Sequence, residues 1–159
     1  MSAEVIAKSF VSLDVMILFT WLEISVNEVP VISEDSTEIA SILKGVKQVY
    51  KKRKIISVFE PHRYSRITLL KKEFSKSFVK SDLVLICPMY AAGEKLKLNF
   101  NLLNFANLIG KNSKTQVIIV ENQYQLVNYF KKNLISDEIV IGMGAGLITH
   151  WMRNLKSSL

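Results

Sequence analysis
The stretch Glu60-Pro61-His62-Arg63-Tyr64-Ser65-Arg66 sets two arginines three residues apart, with a histidine and a tyrosine beside them. A guanidinium is a rigid fork of donors that matches a carboxylate or a phosphate bidentately. The chemistry this stretch suggests is capture of an anion. The plainer reading is a solvated turn whose charges face water. Two other turns hold residues of interest. Tyr90-Ala91-Ala92-Gly93-Glu94 ends in a carboxylate that could act as a base, bond an ammonium group or face solvent. Gly142-Met143-Gly144-Ala145-Gly146 could bring backbone amides to an anion at a helix start, because glycine permits sharp turns and close approach. Tight packing of helix on strand accounts for these glycines better. A dinucleotide fingerprint follows the first strand of its unit and has an acidic residue about 20 positions on, and neither holds here. His150 and Trp151 fall in a helical pattern and read as packing residues. The chain has no nucleophile–base pair, no paired carboxylates and no phosphate loop ending in Gly-Lys-Ser/Thr.

Each turn must be held by flanking elements, and the pattern supplies them. Lys54–Phe59 is a short apolar run, and Pro61 biases Glu60 toward extended backbone, so a strand ends there. Helix 67–80 follows, with Leu69, Leu70, Phe74, Phe78 and Val79 inward. Strand 82–87 then leads to helix 99–109, strand 115–120 to helix 122–133, and strand 138–142 to helix 146–156. Upstream, Asp35 or Ser36 caps a helix from Thr37 to about Tyr50, with Ile39, Ile42, Leu43 and Val46 on one face. Residues 15–26 and Val29–Ile32 read as a small β-hairpin turning at Asn27-Glu28, and Pro30 puts the returning strand at an edge. Short continuous apolar strands alternating with amphipathic helices specify an α/β fold: a Rossmann-like, doubly wound, mostly parallel sheet with helices on both faces, preceded by the hairpin. Its turns after the strands lie at the carboxyl edge, where such sheets bind ligands. The division is 1–28 as a lead-in and 29–159 as one domain.

Composition narrows the function classes. The chain has 159 residues, 49% of them hydrophobic and 22% charged, which suits one globular domain. Its single cysteine, Cys87, lies in an apolar run and reads as a buried, inert thiol. One cysteine and two histidines make a structural zinc site improbable, and no metal ligand is assigned. The net charge of +7 draws heavily on Lys44, Lys47, Lys51, Lys52, Arg53 and Lys54. These read as a solvated helix end, since no aromatic residues interleave with arginine as nucleic-acid binding requires. Asp14 interrupts the apolar stretch 10–22, which is shorter than the roughly 20 residues that span a bilayer. A cytoplasmic protein with neither nucleic acid nor membrane as partner is expected.

The three turns together resemble those of the Mur ligase family, and within it the alanine-adding ligases. Phe59-Glu60-Pro61-His62-Arg63-Tyr64-Ser65-Arg66 is similar to that group's Phe-Gln-Pro-His-Arg-Tyr-Ser-Arg turn. Met89–Glu94 resembles its Tyr-Pro-Ala-Gly-Glu loop, and Met143–Gly146 its closing Met-Gly-Ala-Gly turn. Order and spacing agree with the family's carboxyl-terminal domain from about residue 29. The resemblance implies ATP- and Mg2+-dependent amide formation between UDP-N-acetylmuramate and L-alanine through an acyl phosphate, in peptidoglycan precursor synthesis. It implies that His62, Arg63, Tyr64 and Arg66 bind the alanine carboxylate or a phosphate. Tyr90, Gly93 and Glu94 would line the cleft, with Gly142, Gly144 and Gly146 as the glycine turn.

Two departures qualify that expectation. The family's sugar-binding and nucleotide-binding domains are not in this sequence, so the chain is expected to fold but not to ligate alone, as a separate or truncated domain with the other domains as partners in trans. Where the family has Asp-Asp-Tyr-Ala/Gly-His-His-Pro-Thr-Glu-Ile, this chain has Val31–Ile39, without the tyrosine or either histidine. The alternative expectation is a non-catalytic binding or interaction module on the same scaffold.

Overall fold
The computed structural model describes residues 31–32, 35–95, 100–135 and 137–159. The apolar runs become five strands: β1 (Val31–Ile32), β2 (Ile55–Phe59), β3 (Leu83–Ile86), β4 (Gln116–Ile119) and β5 (Ile139–Met143). They form one sheet in the order β1-β5-β2-β3-β4, with every pair parallel. The helices are α1 (Ser36–Val49), α2 (Tyr64–Leu69), α3 (Lys71–Lys76), α4 (Leu102–Ser113), α5 (Gln123–Asn133) and α6 (Ile148–Ser158).

Strand alternation divides the core into two layers. On one face, α1, α3 and α4 bury Ile39, Leu43, Phe74 and Phe105 against Ile55, Phe59, Val84, Ile86 and Met143. Phe59 lies 5.9 Å from the Phe74 ring and 5.1 Å from the Phe78 ring. On the other face, α5 and α6 bury Leu126, Phe130, Ile148 and Met152 against Ile56, Val58, Leu83 and Leu85. Cys87 is buried in this second layer, and burial pushes its thiol pKa far up, so the group is neutral.

The register positions the site. Phe59 is level with Ile86 on one side and Met143 on the other, so the turns after β2, β3 and β5 leave the sheet along one line. The chain leaves β2 toward the first face and leaves β5 toward the second, which opens a crevice between these two neighbouring strands.

The expected elements hold with four corrections. The helix expected over 67–80 begins at Tyr64 and breaks at Leu70, whose backbone (φ −104, ψ 27) leaves the helical region. That break resets the helical phase, so Leu69 and Val79, expected inward, are 81% and 54% exposed. His150 is exposed and bonded to Asn154 along its own helix, whereas Trp151 does pack against the core. The basic run at and beyond the end of α1 is only partly solvated. Lys47 pairs with Asp82 at 2.9 Å, and Arg53 pairs with Asp137 at 3.0 Å while donating to the Asp137 and Glu138 carbonyls. Gly142 belongs to β5, level with Val31 and Val58, not to the turn beyond it. Asp35 caps α1 by accepting from the Thr37 amide, and β1 sits at the sheet edge. The lead-in 1–28 and its hairpin lie outside the described residues.

Candidate functional site
Glu60 follows β2 directly and is 3% exposed. Its amide donates to the Met143 carbonyl at 2.8 Å, which carries the β2–β5 pairing one residue past the strand ends. Its carboxylate then spans the crevice and accepts from the Gly146 amide at 2.8 Å and the Leu147 amide at 3.0 Å. The amides that open the way into α6 therefore have their anion, and it is an internal one. Two opposed effects set the acidity of Glu60. Burial disfavours the charged form and dominates, while the backbone amides favour it, so the pKa is raised.

The glycines are required by this close approach. A Cβ on Gly144 would lie 2.9 Å from the Glu60 Cβ, and φ at Gly144 is +145°. A Cβ on Gly146 would lie 2.6 Å from the Tyr90 Cγ and 2.7 Å from the Glu60 Oε2.

The turn after β3 is tied to the turn after β2 in the same way. The Tyr90 amide donates to the Pro61 carbonyl, and the Arg63 amide donates to the Tyr90 carbonyl, so His62 and Tyr90 pair as an isolated parallel bridge. Their rings stack at 5.3 Å. Arg63 emerges from this bridge at φ 62°, in the left-handed region, which costs a non-glycine residue of order 1–3 kcal/mol. Its side chain is exposed, and no ion pair holds it among the described residues.

Two more carboxylates fix the start of α2. Glu94 accepts from both the amide and the hydroxyl of Ser65. It reaches them from a loop where Ala92 and Gly93 both have positive φ. Asp35 accepts from Arg66 at 3.4 Å while capping α1, so the second arginine of the motif joins two helix starts. Asp35 has a lowered pKa, first through the Thr37 hydroxyl, then the Thr37 amide, with Arg66 contributing less. Tyr64 sets its ring edge-on against Phe100 at 5.5 Å.

The structure thus brings His62, Arg63, Tyr64, Arg66, Tyr90, Glu94, Gly144 and Gly146 to the carboxyl edge, and leaves Gly142 in the sheet. It does not point both arginines at one anion: Arg66 is engaged with Asp35, and Arg63 faces out. The residue that sequence reasoning missed is Glu60. A carboxylate between a fully buried strand and a proline is the signal that could have marked it. Ser65 and Asp35 were likewise missed as partners. Chemically the site can receive an anion at Arg63. Among the described residues no group of three His, Cys, Asp or Glu side chains could hold a metal ion.

No protein-family model matches the chain. A UDP-N-acetylmuramate–L-alanine ligase from Pelagibacter ubique is 53% identical over 119 residues, covering 75% of this chain and 26% of that relative. Among solved structures, a UDP-N-acetylmuramate–alanine ligase from Thermotoga maritima superposes with a TM-score of 0.59 at 20% identity, over 80% of this chain and 26% of that one. A murein peptide ligase from Psychrobacter arcticus gives 0.62 at 15% identity, over 83% and 28%. At these identities the two structures establish a shared fold alone. The chain spans about a quarter of the length of the curated relatives it matches.

Proposed function
The chain belongs to the Mur ligase family, and from that premise we propose that it acts as the carboxyl-terminal domain of an enzyme that joins L-alanine to UDP-N-acetylmuramate. Its part is to present the exposed Arg63 guanidinium to the alanine carboxylate or to a phosphate. His62 and Tyr64 shape the approach, and Arg66 anchors the helix that carries it. The observation that supports this reading is the position of Arg63: a cation with no ion pair among the described residues, held in a strained backbone at the point where three separately encoded turns are bonded to one another.

In such a reaction ATP with Mg2+ supplies the energy that activates the muramate carboxyl. Among the described residues, the glycine turn ahead of α6 does not form a phosphate cradle for it. The amides at Gly146 and Leu147 already donate to Glu60, and a phosphate there would meet a buried carboxylate. Nucleotide and sugar therefore fall to other domains, and the isolated chain does not ligate.

ADP release tests this, with UDP-N-acetylmuramate, L-alanine, ATP and magnesium present. The chain is assayed alone and mixed with the sugar- and nucleotide-binding domains of an alanine-adding ligase. No turnover alone, turnover in the mixture and loss of that turnover in a folded Arg63→Ala variant are expected. Turnover by the chain alone, or full rescue by Arg63→Ala, overturns the proposal.

One observation favours a second reading, that of a non-catalytic interaction module. Asp35, in the segment that departs from the family pattern, holds Arg66. Under that reading L-alanine and nucleotides leave the melting temperature unchanged, while a protein partner raises it.

A further inference from the structure
The fold gathers a group of cations among the described residues at one end. In a parallel sheet with helical crossovers each helix ends beside the start of the next strand. Helix-terminal lysines therefore gather at the amino edge, opposite the candidate site. Lys51 and Lys52 lead into β2, Lys80 into β3 and Lys114 into β4, and Lys131 and Lys132 end α5 ahead of β5. All six are exposed, and no ion pair holds them among the described residues. The acids at this edge, Asp82, Asp137 and Glu138, face Lys47, Arg53 and Lys54 instead.

Each lysine taken singly is accounted for by the helix dipole. The aliphatic side chains standing among them are not. Val49 at the end of α1 is 38% exposed, Val79 ahead of β3 is 54% exposed, and Ile135 ahead of β5 is 73% exposed. Ile135 stands two residues past the end of α5 and three past Lys132, and Val79 is next to Lys80.

We propose that this amino edge is a peripheral docking surface for an anionic lipid bilayer. Lysine ammonium groups meet lipid phosphates, and Val79 and Ile135 enter the headgroup layer. The aliphatic character of the exposed side chains selects lipid over nucleic acid, which is gripped by aromatic platforms and arginine. No helix among the described residues is long and apolar enough to cross a membrane, so the contact is one of surface only. Docked this way, the carboxyl edge with Arg63 faces away from the bilayer.

Vesicle co-sedimentation of the chain tests the proposal, using phosphatidylcholine alone and phosphatidylcholine mixed with phosphatidylglycerol. Binding to the mixed vesicles only, weakened by added salt, is expected. Loss of a lysine contact weakens such binding about fivefold, so Lys51→Glu with Lys52→Glu lowers it about 25-fold or more. Ile135→Ser, which leaves the charge unchanged, lowers it several-fold. Circular dichroism confirms that both variants fold. Equal binding to neutral vesicles, no binding at all, an Ile135→Ser variant that binds as before, or tighter binding to a DNA duplex than to the mixed vesicles overturns it.

Discussion
The two edges of the sheet use charge in opposite ways. At the carboxyl edge the carboxylates are consumed in fixing backbone: Glu60 on the Gly146 and Leu147 amides, Glu94 on Ser65, Asp35 on Thr37 and Arg66. Backbone strain accompanies them at Arg63 and Ala92, and a glycine takes the positive φ at Gly144. At the amino edge, among the described residues, Lys47, Arg53 and Lys54 meet acids and the remaining lysines stand in water. A charge bonded to backbone inside a crevice determines geometry, whereas an exposed charge contributes a field that salt screens. The carboxyl edge should therefore be sensitive to mutation and pH, and the amino edge to ionic strength.

The sharpest break of that comparison is Gly146→Ala. Its Cβ would meet the Tyr90 ring and the Glu60 carboxylate at once, so a loss of about 3 kcal/mol is expected from the urea midpoint. Lys51→Ala in the same assay is expected within about 0.5 kcal/mol of the parent. If the two cost the same, the contrast between the edges fails.

Asp35→Ala should cost about 1 kcal/mol, by loss of the α1 cap. Because the folded protein lowers the Asp35 pKa, that contribution is present above the ordinary aspartate value. It should vanish as pH falls through the lowered value.

Arg63→Gly relieves the positive φ and should stabilise the fold by up to about 1 kcal/mol in thermal denaturation. The same variant should lose the anion-dependent turnover of the reconstituted ligase. A gain in stability with activity intact would separate the strain from function.

The smallest effect is the pH dependence contributed by Glu60. Its raised pKa means the folded state holds the proton more tightly than the unfolded one. Its stabilising contribution is full below the ordinary glutamate range and is lost as pH rises through the raised value. Glu60→Gln should flatten that part of the stability–pH curve, read as the difference between variant and parent across acid to neutral pH.

Most of the fold was legible because its central strands β2 and β3 are fully buried runs and its helices carry one apolar stripe. Ile55–Phe59 and Leu83–Ile86 cannot be read otherwise, and Asp35 marks the α1 start by the chemistry of a cap. The break at Leu70 was not legible, because a periodicity count assumes one continuous helix and places Leu69 and Val79 inward. For the site, the three turns stood out by residue type, but not their connections.

By itself the sequence determined the α/β class, the alternation of elements, the buried thiol and the three turns that carry polar chemistry. Those follow from local pattern and residue type. Only the tertiary structure decided that β5 inserts between β1 and β2, since strand order depends on contacts between segments far apart in the chain. That insertion brings Glu60 to amides 86 and 87 residues away and makes the acid a structural clasp. It likewise took the folded chain to engage Arg66 with Asp35, leave Arg63 exposed, and gather lysines from separate helices at one edge. Burial and hydrogen bonding set the role of a charged group, and both are properties of the assembled fold.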